Sequence, residues 1–160
     1  MRFVIMMMVL AALFAHSPGA AAVDEVEKKA AADDIEKEKE AVKKVILDSY
    51  IRGGHQQWDA GKMAKGFHPD FVLPILSDGE IRNLPIAEWL EGLEKRKLEN
   101  PEGPEYTVTY EFSWVDVVGS AAVVRLELYR DGKHIFSDFL SLYKFPDGWK
   151  IVGKIFYHHP

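Results

Sequence analysis

The chain has 160 residues, 48% of them hydrophobic and 12% aromatic, which is enough to bury one core and excludes wholesale disorder. Its formal charge of −5, with both signs interspersed through the second half, offers no excess of cations for phosphate and argues against nucleic-acid binding. There is no cysteine, so neither a disulfide nor a lipid attached at a signal-peptide cysteine is available.

The chain opens with the short positive start Met1-Arg2. The apolar run Phe3 to Phe14 and the small residues Ala20-Ala21-Ala22 follow. This order predicts a secretory signal peptide over residues 1–22, cleaved after Ala22, and an exported, periplasmic or secreted product. The run is too short for a membrane anchor, so no membrane association is expected once the signal is removed. Residues 23–34 are Ala, Glu, Lys and Asp with almost no large apolar side chain, and they read as a flexible leader before a folded domain over 35–160.

Asp33 or Asp34 is placed to cap a long amphipathic helix in which Ile35, Val42, Ile46 and Tyr50 share a face. Gly53-Gly54 should end or kink it, and a short helix is expected over Lys62 to Phe67. Pro69 forces His68 into an extended conformation, with Asp70 in the turn beyond it. Two strands, Phe71 to Leu76 and Glu80 to Leu84, form a hairpin through Ser77-Asp78-Gly79, and a third helix runs from Pro85 to Leu98. Four alternating segments follow: Tyr106 to Val115, Ala121 to Arg130, His134 to Phe145 and Trp149 to Tyr157. Their short links make them antiparallel neighbours. The plan is α+β, a cone-shaped curved antiparallel sheet with N-terminal helices on its concave face.

Counting outward from the turns assigns the sheet faces. Arg125, Asp138 and Lys154, with Glu111, Ser113 and Glu127, are expected on a polar face. The aromatic face collects Tyr110, Phe112, Trp114, Phe139, Tyr143, Trp149, Ile155 and Tyr157 with Val124, Leu126 and Leu128, and it should meet the helices. Helix side chains filling the space there and an open pocket both fit that pattern.

The chain resembles the nuclear transport factor 2-like superfamily (SnoaL-like), and within it the putative lumazine-binding group. The resemblance rests on Trp58-Asp59-Ala60-Gly61, Phe67-His68-Pro69-Asp70, Val115 to Ala121, Ser137 to Lys144 and Gly148 to Phe156, and it covers roughly Ile35 to His159. It implies a cone-like barrel, commonly a homodimer through the sheet. The superfamily contains isomerases, dehydratases and cyclases beside members without known chemistry, so fold alone does not assign activity.

Cofactor-free acid–base chemistry on such a scaffold needs a carboxylate or histidine inside an apolar cavity. The face assignment puts Asp138 on the polar side and leaves His68 and Asp70 as the candidate acid and base, with chain punctuation as their simpler role. No His-Glu-x-x-His spacing, phosphate loop or nucleotide fingerprint is present, and no metal or cofactor is expected. The sequence therefore points to a non-enzymatic domain that binds a small apolar or aromatic molecule among Trp58, Tyr110, Phe112, Trp114, Tyr143, Trp149 and Tyr157. An isomerase, dehydratase or cyclase using Asp70 or His68 is the alternative.

Overall fold

The computed structural model describes residues 18–160. Most of the expected signal peptide lies outside the described residues. Helix α1 spans Pro18–Val45, so residues 23–34 are helical and start without a cap at Asp33 or Asp34. Ala, Glu and Lys are strong helix formers whether or not they have a core to face, which is why the absence of apolar residues did not unwind the segment. The chain divides into two units between Asp33 and Asp34, and the second is Asp34–Pro160. Among the described residues no helix is long and apolar enough to cross a membrane.

Beyond Val45 the helix passes straight into a π-helical segment, Ile46–Gln57, instead of breaking at Gly53-Gly54. Its wider turn carries the chain through both glycines and ends at Trp58, which takes a left-handed conformation at φ 52°. Gly53 is needed because a Cβ there would sit 2.8 Å from the backbone nitrogen of Met63 in the next helix. That helix, α2, is Ala60–Gly66, capped by Asp59, whose carboxylate accepts from the Lys62 amide. Gly66 lies against the π segment so closely that a Cβ would fall 2.0 Å from Ser49 Oγ.

Strands β1 (Val72–Ser77) and β2 (Glu80–Pro85) form a separate hairpin, and α3 (Ile86–Glu99) follows directly. The main sheet has four antiparallel strands in chain order: β3 (Val108–Val118), β4 (Ala121–Arg130), β5 (Lys133–Phe145) and β6 (Gly148–His158). The β4–β5 turn holds Asp131 and Gly132 at φ 50° and 80°, the pair of positive angles that a two-residue hairpin of this twist requires.

Each pair of neighbouring strands carries one unpaired residue: Ser113 in β3, Ile135 in β5 and Val152 in β6. A bulge of one residue exchanges the two faces for everything beyond it. Asp138 and Lys154 are therefore inside, at 0% and 6% exposure, and Trp114, Phe139, Tyr143, Ile155 and Tyr157 are outside, which corrects the faces expected by regular counting. Arg130 does face Lys133, but across the Ile135 bulge Arg125 pairs with Phe139 and Leu126 pairs with Asp138. Leu140 pairs with Lys154 and Asp138 with Phe156, because a two-residue turn at Pro146-Asp147 and the Val152 bulge together give the register that a regular hairpin with a three-residue turn would have.

The core lies between the inner sheet face and the helices. Val42, Ile46, Tyr50 and Ile51 meet Val124, Leu126, Leu128, Leu140, Leu142 and Ile151, all at or near zero exposure. Phe67, Phe71 and Trp89 close it with edge-on or tilted ring contacts, Phe67 to Phe71 at 4.8 Å and Phe67 to Trp89 at 5.8 Å between centroids.

Candidate functional site

Three polar side chains meet inside this apolar interior. Tyr50, from the π segment, donates from its hydroxyl to Asp138 Oδ2 at 2.7 Å, and Lys154 Nζ donates to Asp138 Oδ1 at 2.6 Å and to the Tyr50 oxygen at 2.5 Å. The ammonium also lies 4.8 Å from the centroids of both the Tyr50 and Phe156 rings. Burial pushes the Lys154 ammonium down from its usual range, and the Asp138 carboxylate opposes this. Burial and then the Asp138 charge push the Tyr50 hydroxyl far up, so it stays a donor. His55 packs edge-on against Tyr50 at 4.7 Å with its Nε2 buried and without a hydrogen-bond partner. Burial, followed by the positive charges of Lys154, Arg130 and Arg96, lowers its pKa to about 3. The carboxylate missing from the expected cavity face is thus present as Asp138. Tyr50, Asp138, Lys154 and the Nε2 atom of the half-buried His55 are shut from solvent, however, and the arrangement holds the π segment to the sheet.

One opening that does reach solvent is a groove of about 730 Å³ between α1, the π segment, α2 and the β5–β6 hairpin. Ala41, Val45, Gly66 and Trp149 form its apolar surface. Lys44, Arg52, Lys62, Lys65 and Lys144 bring five cations to it, against the carboxylates of Glu38 and Asp48. Glu38 accepts from the Trp149 indole at 2.8 Å and from Lys144 at 2.6 Å, which orients the indole and holds the Glu38 carboxyl below its usual range, Lys144 contributing most. Asp48 is bridged by Lys44 and Arg52, each at 2.5 Å. On a chain that is net acidic, this is a locally positive groove bordered by the indole of Trp149, itself 4% exposed.

The residues expected to bind a ligand do not form one cavity. Tyr110 and Phe112 are on the inner face, opposite Leu128 and Leu126, and Trp149 lines the groove. Trp114, Tyr143 and Tyr157 are on the outer face, each at least half exposed. Trp58 packs edge-on to Tyr106 beside a second hollow that it shares with Gln57, Asp59 and Leu98. His68 Nδ1 accepts the Asp70 amide at 3.2 Å, and the ring stacks on Phe145 at 5.0 Å, while the Asp70 carboxylate is 93% exposed. Both residues serve the turn that hands the chain from α2 to β1: Phe71 N donates to His68 O, and His68 N donates to Ile151 O.

Residues 37–157 match the family described as putative lumazine-binding. The chain belongs to that family. Its fold is shared with a nuclear transport factor 2-like protein of unknown function from Shewanella baltica OS155, at 25% identity and TM-score 0.62 over 78% of this chain and 95% of that one. Similar proteins of unknown function from Silicibacter pomeroyi DSS-3 (19% identity, TM-score 0.61, 74% and 93% covered) and Methylobacillus flagellatus KT (24%, 0.59, 80% and 94%) share it too. No curated protein sequence matches significantly. Membership in the putative lumazine-binding family and the nuclear transport factor 2-like fold confirm the α+β architecture expected from the strand and helix order.

Proposed function

We propose that this chain is an exported, non-enzymatic binding domain, which takes a small molecule with a flat apolar body and an anionic group into the groove walled by Trp149. The observation that carries this reading is the groove's composition: an indole fixed by Glu38, an aliphatic surface from Ala41 and Val45, and five cations at the rim. A planar ring would lie against the indole, and an anion would exchange hydration for Lys65 and Lys144. The family's description as lumazine-binding agrees with a flat heteroaromatic ligand. Export follows from the signal peptide expected at residues 1–22. The exposed outer sheet face, with Trp114, Phe139, Tyr143 and Ile155, fits a homodimer.

The test is titration of the protein, followed by Trp149-sensitive fluorescence and by native mass spectrometry. The probes are lumazine, 2-naphthoate and the uncharged 2-naphthalenemethanol. Naphthoate should bind more tightly than the alcohol, and Lys65→Glu or Lys144→Glu should weaken it at least about fivefold, roughly the effect of losing one charge-assisted contact. Equal binding of acid and alcohol, or no response to either charge reversal, overturns the assignment.

A further inference from the structure

A second polar cluster lies on the outer sheet face, built from residues far apart in sequence. Glu127 of β4 is 5% exposed although it faces away from the core, because β5 and the end of β6 crowd over it. Arg125 Nε donates to its Oε1 at 2.6 Å, and Ser113 Oγ donates to the same oxygen at 3.2 Å. Its other oxygen, Oε2, is met by His134 Nε2 at 2.9 Å and by a short hydrogen bond from Ser137. Ser137 Oγ in turn lies 2.9 Å from His159 Nε2. Burial pushes the Glu127 carboxyl up, but the hydrogen bonds from Ser137, His134 and Arg125 and the Arg125 charge outweigh it, so the group is held below its usual range as a carboxylate.

Two features of the backbone bring the imidazoles there. The tight Asp131-Gly132 turn returns the chain over Glu127, and the Ile135 bulge rotates His134 onto the side that Glu127 faces. The His159 amide then donates to the Ile135 carbonyl at 2.9 Å, fixing the end of β6 beside the bulge, so that the His159 ring stacks on that of His134 at 3.7 Å. One donor atom from each of Glu127, His134 and His159 lies within 4.8 Å of the others.

We propose that Glu127, His134 and His159 form a binding site for a divalent transition-metal ion of the zinc type. Two imidazoles and one carboxylate are a ligand set that zinc and its first-row neighbours take, and a three-residue set leaves at least one position for water or another donor. Donors about 2.1 Å from a tetrahedral ion are ~3.4 Å apart, so modest side-chain rotation closes the present spacing. The ion would replace the Ser137 and His134 hydrogen bonds on Oε2, while Arg125 continues to orient the carboxylate through Oε1, the outer-shell support that such ligands use. A His134 that binds the ion through Nε2 carries its ring proton on Nδ1. The site is independent of the groove: it lies on the opposite sheet face and shares no residue with it.

The test uses the full chain without a polyhistidine tag. Zinc titration by calorimetry should show one ion per chain, and cobalt should give visible absorption bands. His134→Ala and His159→Ala should each weaken zinc at least about tenfold and abolish the cobalt bands. His158→Ala, whose residue pairs with Phe136, should leave both unchanged. Ring-proton NMR of the unaltered chain provides a readout that does not depend on any variant folding: zinc should shift the His134 and His159 resonances and leave His55 and His68 in place. No zinc uptake, uptake that survives both substitutions, or shifts confined to other histidines overturns the site.

Discussion

Asp138 and Lys154 meet 2.6 Å apart across neighbouring strands, and both side chains are closed off from water. Such a pair adds little net stability over a well-packed apolar pair, but removing one member strands a charge. Asp138→Ala or Lys154→Ala should each cost about 3–5 kcal/mol in urea denaturation, and the double variant Asp138→Leu/Lys154→Met should cost much less than their sum. Additive losses would show that the two groups are not coupled. Tyr50→Phe, which removes the hydroxyl between them, should cost about 1–3 kcal/mol.

His55 makes the fold acid-sensitive in a defined window. Its pKa is lowered from 6.5 to about 3, so between those values the unfolded chain binds a proton that the folded one refuses. Stability is fully present above about 6.5 and falls with falling pH by roughly 1.4 kcal/mol per unit until the folded pKa is reached. His55→Phe should flatten the slope between pH 6.5 and 5, where few carboxylates titrate, and it also removes the unpartnered Nε2. A slope unchanged by the substitution would assign the acid sensitivity to other groups.

The outer face makes a prediction about assembly. Phe139→Glu places a carboxylate amid Trp114, Val123 and Ile155 and should convert a dimer to monomer in sedimentation velocity, leaving the fold intact by circular dichroism. Sedimentation that does not change would remove this face as the contact.

Gly66 and Ser49 set the fit of α2 on the π segment. Gly66→Ala drives its methyl into the Ser49 side chain and should destabilise by about 1–3 kcal/mol, with Ser49→Gly in the same chain recovering part of the loss. A Gly66→Ala chain as stable as the parent would mean that the two elements separate at little cost.

The order of elements was legible in the sequence because each depends on local signals: alternation in the four long strands, Asp131-Gly132 between two of them, and Pro85 ahead of α3. The shared face of Val42, Ile46 and Tyr50 was legible too, since it needs only helical spacing. The buried centre was not. Whether Asp138 points in or out depends on Ile135 and Val152, and neither residue differs in type from a regular strand residue. The sequence likewise shows His134 and His159 as unrelated, since no linear ligand spacing joins residues that a tight turn and a terminal strand bring together. The π segment escaped notice because glycine pairs usually mark helix ends, and here they are needed for the close approach of α2.

The three unpaired residues also bear on how relatives of this chain drift in length. Each is a point where a strand can lose one residue without moving its turns. Removing Ser113 would leave Phe112 opposite Leu126 and Trp114 opposite Arg125. Removing Val152 would likewise leave Ile151 opposite Leu142 and Gly153 opposite Ser141, so Lys154 would stay inside beside Asp138, whereas losing the paired Ile155 would bring Tyr157 opposite Asp138. Gaps between homologues should therefore fall at positions 113, 135 and 152 and be rare at paired positions such as 155.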